Sequence, residues 1–202
     1  MLALLAAADT LEVRPLAAAP AFDGRVSEAE YGGPGTVVGA GGARVWLARS
    51  AEWVYVAAAI PDASPSWRDE FAVLLDPVGD RTPGPGHDDN AWVIRRVADS
   101  SEVRRGVHGR WMLPGDDAAW RLGAARGGEG WEVRVTSDDA GWQVELRVER
   151  AWLSGEYGGV PAMGFVLFDD AVREWEGWPV SAECRGGARL ERAPACWAAV
   201  RP

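Results

Sequence analysis

The stretch Trp142-Gln-Val-Glu-Leu-Arg-Val-Glu149 alternates strictly between apolar and polar residues. In an extended chain Trp142, Val144, Leu146 and Val148 fall on one face, and Gln143, Glu145, Arg147 and Glu149 fall on the other. This period of two predicts a strand that covers a core on one side and meets water on the other. Residues 131–135 alternate in the same way, and Asp138-Asp-Ala-Gly141 between the two runs is a turn signal, so they read as a hairpin. Further out, 43–48 and 53–60 read as strands around a Ser50-Ala-Glu52 turn. The nearly continuous apolar runs 71–75 and 163–168 read as central strands buried on both faces. Residues 92–97, 102–107, 110–113 and 196–200 bring the total to about ten strands, and helical periodicity is almost absent. The expected fold is all-β: a single antiparallel β-sandwich, immunoglobulin-like or jelly-roll-like, over residues 9–202.

Composition narrows the function classes. The chain has 202 residues, 48% of them hydrophobic, enough for one core without a metal or disulfide to hold it. A formal charge of −9 argues against nucleic acid and anionic membrane surfaces, both of which are recognised by basic patches. Nothing approaches the ~18 consecutive apolar residues of a membrane span. All 21 basic residues are Arg, which reads as genome base composition. There are only 2 His, so a hydrolytic triad or a multi-His metal centre has little material to draw on. No serine lies in a nucleophile-elbow context, and a carboxylate pair could be drawn from 30 acids only arbitrarily. The expectation is a non-catalytic protein.

Residues 1–8, apolar and closing on small residues, read either as the end of a secretory signal whose start lies upstream or as an apolar tail. Cys184 and Cys196 are the only cysteines and have no CxxC or Cys/His cluster around them. In an exported protein they would form a disulfide; in a reducing compartment they would be two small buried thiols. The disulfide is favoured, and with it an extracytoplasmic (periplasmic or secreted) location.

With 12 Trp against 4 Phe and 3 Tyr, tryptophan is the bulky aromatic of this chain. Trp46, Trp53, Trp131, Trp142 and Trp152 fit strand or core positions. Trp67 lies in a Pro-rich loop among Ser, Arg and Asp. Trp175 and Trp178 lie amid Arg173, Glu174 and Glu176; one of them is a ligand candidate and the other packs. Flat aromatic rings in loops stack on the apolar C–H faces of sugars at low entropic cost. His87 beside Asp88 and Asp89 is a conceivable metal site, although such a string in a Gly/Pro loop is more often a solvated turn.

Five segments, in order, resemble family-9 carbohydrate-binding modules and their relatives. Ala21-Phe-Asp-Gly-Arg-Val-Ser-Glu-Ala-Glu-Tyr31 is similar to the family's "xIDGxxDExxW" opening, and residues 43–62 to its "VxxLWDxxYLYVAxxVxD" hairpin. Ser66-Trp-Arg-Asp-Glu-Phe-Ala-Val-Leu-Leu-Asp76 resembles "WxxDSVEIFxDP", one residue shorter. Residues 141–148 resemble "GWxVExAIPW", and Met163-Gly-Phe-Val-Leu-Phe-Asp-Asp170 resembles "IGFNxxVND". The resemblance implies a β-sandwich and a saccharide clamped between Trp67 and Trp175 or Trp178. It places the family's strand glutamate on Ala72 and its strand arginine near Ile94, with Arg95 one place along and on the opposite face. The asparagine of "VND" becomes Asp169. Structural calcium is also implied, with Asp76, Asp88 and Asp89 as candidate ligands.

Two further readings compete with the saccharide clamp. A sandwich that has lost its polar sugar contacts would serve as a docking domain for a partner protein. The related DOMON group binds haem through Met and His, for which His87, His108, Met112 and Met163 are the only candidates of that kind.

Overall fold

The computed structural model describes residues 10–96, 101–113, 130–153, 159–179 and 191–201. Residues 1–8 and Cys184 lie outside these. The described strands are β1 (Thr10–Glu12), β2 (Arg14–Pro15), β3 (Thr36–Val38), β4 (Ala43–Arg49), β5 (Trp53–Pro61), β6 (Glu70–Asp76), β7 (Asn90–Arg95) and β8 (Ser101–Val107). They continue with β9 (Arg110–Met112), β10 (Trp131–Asp138), β11 (Gly141–Glu149), β12 (Ala162–Asp169), β13 (Glu174–Trp178) and β14 (Ala198–Arg201). The helical content of the described residues is two short 3-10 turns, Arg150–Leu153 and Pro194–Cys196.

Two sheets pack face to face. One runs β1-β14-β12-β6-β7-β8-β9, with β13 also pairing β12, and the other runs β10-β11-β5-β4-β2, with β3 also on β4. Their pairings are antiparallel except at two edges, where β1 runs parallel to β14 and β2 parallel to β4. The expected antiparallel sandwich is found, with two parallel additions at its edges: the N-terminal segment adds one short strand to each sheet, and neither addition is a hairpin. β14 and β13 share one edge of β12, the first along Ala162–Met163 and the second along Phe165–Asp169.

The core between the sheets takes the inward residues of both. Val54, Val56, Ala58 and Ile60 of β5 and Trp142, Val144, Leu146 and Val148 of β11 meet Phe71, Val73 and Leu75 of β6 and Met163, Phe165 and Leu167 of β12. β6 is apolar on both faces because Ala72 and Leu74 pack outward with Ala91, Val93, Val166 and Trp197 in a second cluster. The polar face of β11 meets water only in part: Glu149 is exposed and Gln143 and Arg147 are half-buried, but Glu145 is shut away. Glu145 is 1% exposed, because its carboxylate accepts the Gly24 N–H at 2.6 Å and the Tyr31 hydroxyl, while Gln143 accepts the Val26 N–H at 2.6 Å. Those side chains anchor the segment around residues 22–31 over the second sheet, whose outer apolar residues Trp46, Tyr55 and Ala57 it covers. Alternation marks the strand but not what lies on its polar face.

Candidate functional site

Trp67 is presented by a tight turn. The Asp69 N–H donates to the Ser66 carbonyl at 3.3 Å, and the Ser66 N–H donates to the Asp69 carboxylate at 2.8 Å, so Trp67 and Arg68 stand at the tip. Trp67 is 61% exposed, with the Arg68 guanidinium 4.7 Å from its ring centroid. This is the largest aromatic surface that the described residues leave in water.

The loop is fixed from below. Asp69 is buried and its carboxylate also accepts the Asp170 N–H at 3.1 Å, while the Ser66 hydroxyl donates to the Asp170 carboxylate at 2.8 Å. Beneath lies Arg96, whose side chain is fully buried. Arg96 donates to the Asp62 carboxylate at 2.7 Å, to the Ser137 hydroxyl at 2.9 Å and to the Asp62, Asp138 and Gly141 carbonyls, with Asp69 3.7 Å away. One cation thus joins the Trp67 loop, the end of β7 and the β10–β11 turn. Burial pushes the Asp69 carboxyl up and nearby Asp62 adds to this, against the N–H bonds from Ser66 and Asp170. For Asp62 the hydrogen bonds from Ser64 outweigh burial, and the carboxyl is held below its ordinary value with Arg96 contributing. Arg96 was not among the sequence candidates; nothing in an "Ile-Arg-Arg" string tells which arginine turns inward.

Directly paired residues on adjacent strands share a face. Arg95 pairs with Glu70, Glu70 with Phe168, and Phe168 with Trp175, so these four form one row across the outer face of the first sheet. That row is the last rung before the Trp67 loop and the turn after β12. Trp175 lies 4.6 Å from Phe168 between ring centroids and stays 36% exposed. Trp178 belongs to the other face: it packs on Phe165 at 6.1 Å against the core. Of the pair singled out in sequence, Trp175 is therefore the exposed ring and Trp178 the packing one.

Arg95 lies on the face opposite to Ile94. Ile94 points into the core, fully buried, while Arg95 shares the outer face with Ala72, Phe168 and Trp175. Its Nε donates to Glu70 at 3.0 Å, and a second nitrogen reaches Glu102 at 3.4 Å. Arg104 also donates to Glu102 and continues this ladder to Glu191, whose carboxyl is pushed up by burial. Where Ala72 cannot hydrogen-bond, Glu70 stands two residues earlier on the same face. Beside these groups a cleft of about 300 Å³ opens between the sheet ends, lined by Asp62, Asp69, Asp169, Glu174 and Glu176 over Ile60, Trp142 and Leu167. No basic residue is among its described lining. Glu176 is held there by the Ala40 and Gly41 N–H groups at 2.8 and 3.2 Å.

The acidic loop after β6 folds back on itself. Asp76, Asp80 and Asp88 each bring a carboxylate oxygen within 4.8 Å of the others. Asp89 is fully buried, bound by the Gly86 N–H at 2.6 Å through one oxygen and by nothing through the other; one Asp88 oxygen is likewise buried without a partner. Burial, with Asp76, Asp88 and Asp80 nearby, pushes the Asp89 carboxyl up to about 8, against the Gly86 N–H. Asp88 is raised for the same chief reason. Oxygen donors crowded in this way suit a hard divalent cation. Asp80 was missed in sequence because a Gly-Asp pair in a Gly/Pro loop reads as an ordinary turn.

Of the haem candidates, the two histidines meet and Met163 lies apart from them. Met163 is fully buried in the core, whereas His87 and His108 lie edge to face at 5.1 Å in the loop and hairpin beyond it. Cys196 is disulfide-bonded, and no free cysteine is found among the described residues. No helix among them is long and apolar enough to cross a membrane.

No family model matches the chain, and no curated protein matches it. Solved structures do. The chain is similar, with a TM-score of 0.65 and 15% identity, to a family 9 carbohydrate-binding module from Caldicellulosiruptor kristjanssonii in complex with cellotriose, over 96% of this chain and 93% of that one. A structure of a family 9 module from the same organism in complex with glucose gives the same score and identity, over 96% and 95%. The fold is that of a family 9 carbohydrate-binding module. Near-complete coverage of both chains means the two sheets correspond as a whole.

Proposed function

We propose that this chain is a non-catalytic carbohydrate-binding module that stacks a saccharide ring between Trp67 and Trp175. The observation that carries the reading is the row Arg95–Glu70–Phe168–Trp175 ending beneath a loop that holds Trp67 61% exposed. The Trp rings offer apolar area to the C–H faces of a sugar, and Arg95 with Glu70 offers a donor and an acceptor to its hydroxyls. The acidic cleft alongside adds acceptors and repels polyanions, so the expected ligands are neutral saccharides. A solved family 9 module binds cellotriose, which makes this the first probe.

Calcium belongs to the same proposal as a structural ion. Asp76, Asp80, Asp88 and Asp89 would hold it, and the buried partnerless oxygens of Asp88 and Asp89 support this. Bound there, the ion would supply charge neutralisation and no chemistry. The bonded Cys196 supports an oxidising, extracytoplasmic setting.

The test is calorimetry with cellotriose and glucose, read alongside tryptophan fluorescence. Binding with a spectral shift is expected, and Trp67→Ala and Trp175→Ala should each weaken it at least about tenfold. Trp178→Ala should instead lower stability. Unchanged affinity in both Trp67→Ala and Trp175→Ala would remove this site.

A further inference from the structure

At the end of the sandwich away from Trp67, a second groove of about 440 Å³ opens beside the closing ends of β4, β11 and β14. Its apolar surface is aliphatic throughout: Val13, Val54 and Val200 from the core, Leu153 against it, and Val160, 55% exposed. Arg49, Arg150 and Arg201 complete the lining, and no acidic residue is among the described lining residues. In a chain of formal charge −9, this is a local reversal of sign.

The backbones that carry these arginines are tied down. The Arg49 carbonyl accepts the Leu16 N–H at 2.9 Å, the Arg150 N–H donates to the Glu52 carbonyl at 2.8 Å, and the Arg201 carbonyl accepts the Val13 N–H at 3.0 Å. Their guanidinium groups form no ion pair with a described carboxylate, whereas Arg44, Arg95, Arg96, Arg104, Arg134, Arg147 and Arg173 all do. The Nε of Arg49 is buried with no hydrogen-bond partner. Buried donors are normally satisfied, so this N–H marks a place where an acceptor belongs.

We propose that this groove binds an aliphatic carboxylate, with its oxygens on Arg49 and its alkyl body along Val54, Leu153, Val160 and Val200. A guanidinium presents parallel N–H donors that match a carboxylate in one plane. Among the described lining residues there is neither an aromatic platform nor a neutral polar side chain, which separates them from the Trp67 end. Exposed Arg150 and Arg201 add long-range attraction. The same chemistry is offered by a free medium-chain fatty acid and by the C-terminal carboxylate of a peptide ending in an aliphatic residue.

Calorimetry on the whole chain tests this with sodium octanoate, octanol, and a pair of Leu-terminated peptides carrying a free or an amidated C-terminus. Octanoate should bind at least about tenfold more tightly than octanol, and Arg49→Met should abolish that difference. Because Arg49 pairs with no described carboxylate, the variant should fold with an unchanged or higher melting temperature. That temperature should rise with octanoate in the parent and stay put in Arg49→Met. Binding of the free-acid peptide with loss in the amide identifies a chain terminus as the source, and octanoate binding alone identifies a free acid. Equal affinity for octanoate and octanol, no octanoate binding, or full binding by Arg49→Met would overturn the proposal. Trp67→Ala should leave every one of these readings unchanged, so this site stands or falls apart from the saccharide site.

Discussion

The Ser66 hydroxyl donates to the Asp170 carboxylate at 2.8 Å, tying the residue before Trp67 to the turn that leads into Trp175. The Trp67 loop is thus held to the turn that precedes the Trp175 strand, although the residues joined are far apart in sequence. Asp170→Ala removes this tie while leaving the Asp170 N–H on Asp69. A stability loss of about 1 kcal/mol is expected, together with weaker cellotriose binding, because a looser Trp67 loop must be ordered on binding. Calorimetry and chemical denaturation of the same variant would check both halves.

Arg96 is the deeper support. Arg96→Met would leave the Asp62 and Asp69 carboxylates buried without their cation and strip partners from three carbonyls. Breaking a buried pair from one side costs about 3–5 kcal/mol, far more than an exposed pair is worth. The urea midpoint should fall accordingly, whereas Arg44→Met at the exposed Arg44–Glu28 pair should move it little.

Calcium should raise the melting temperature, and chelation should reverse the rise. The ligands must be ionised to bind, and Asp89 is held up to about 8. Calcium affinity should therefore increase as pH rises from 6 to 8, with proton release on binding. Asp80→Ala and Asp88→Ala should each lower affinity at least about tenfold. Calorimetry in buffers of different ionisation heat counts the protons, and a calcium response unaltered by either substitution would remove this site.

Glu145 gives a pH signature of a different origin. Burial raises its carboxyl, outweighing the bonds from Tyr31 and the Gly24 N–H. A carboxyl with a higher pKa folded than unfolded binds its proton more tightly in the folded state, so its contribution to stability falls as pH rises above about 4.3. Glu145→Gln keeps an acceptor oxygen and removes the titration. The stability of Glu145→Gln relative to the parent should therefore climb between pH 4 and pH 7, read by urea denaturation at each pH. A constant difference would contradict the assignment.

The sequence by itself determined the sandwich, because strand formation rests on local information: period-two alternation in β11 and β10, and unbroken apolar runs in β6 and β12. It also pointed to Trp67 and to the Trp175/Trp178 pair, since an aromatic outside the strand pattern stands out in composition. The faces of the short strands were left to the tertiary structure. β13, too short to show a period, placed Trp178 inward and Trp175 outward, and the pairing register set Arg95 beside Glu70 in the row that reaches Trp175. The long-range pairings were likewise decided only in three dimensions. Arg96 with Asp62 and Asp69, Asp80 with Asp76 and Asp88, and Glu145 under the segment around residues 22–31 join residues whose separation along the chain carries no trace of their contact. Each of those contacts exists because a charge or N–H taken from water by the closing sheets had to find its partner wherever the fold brought one.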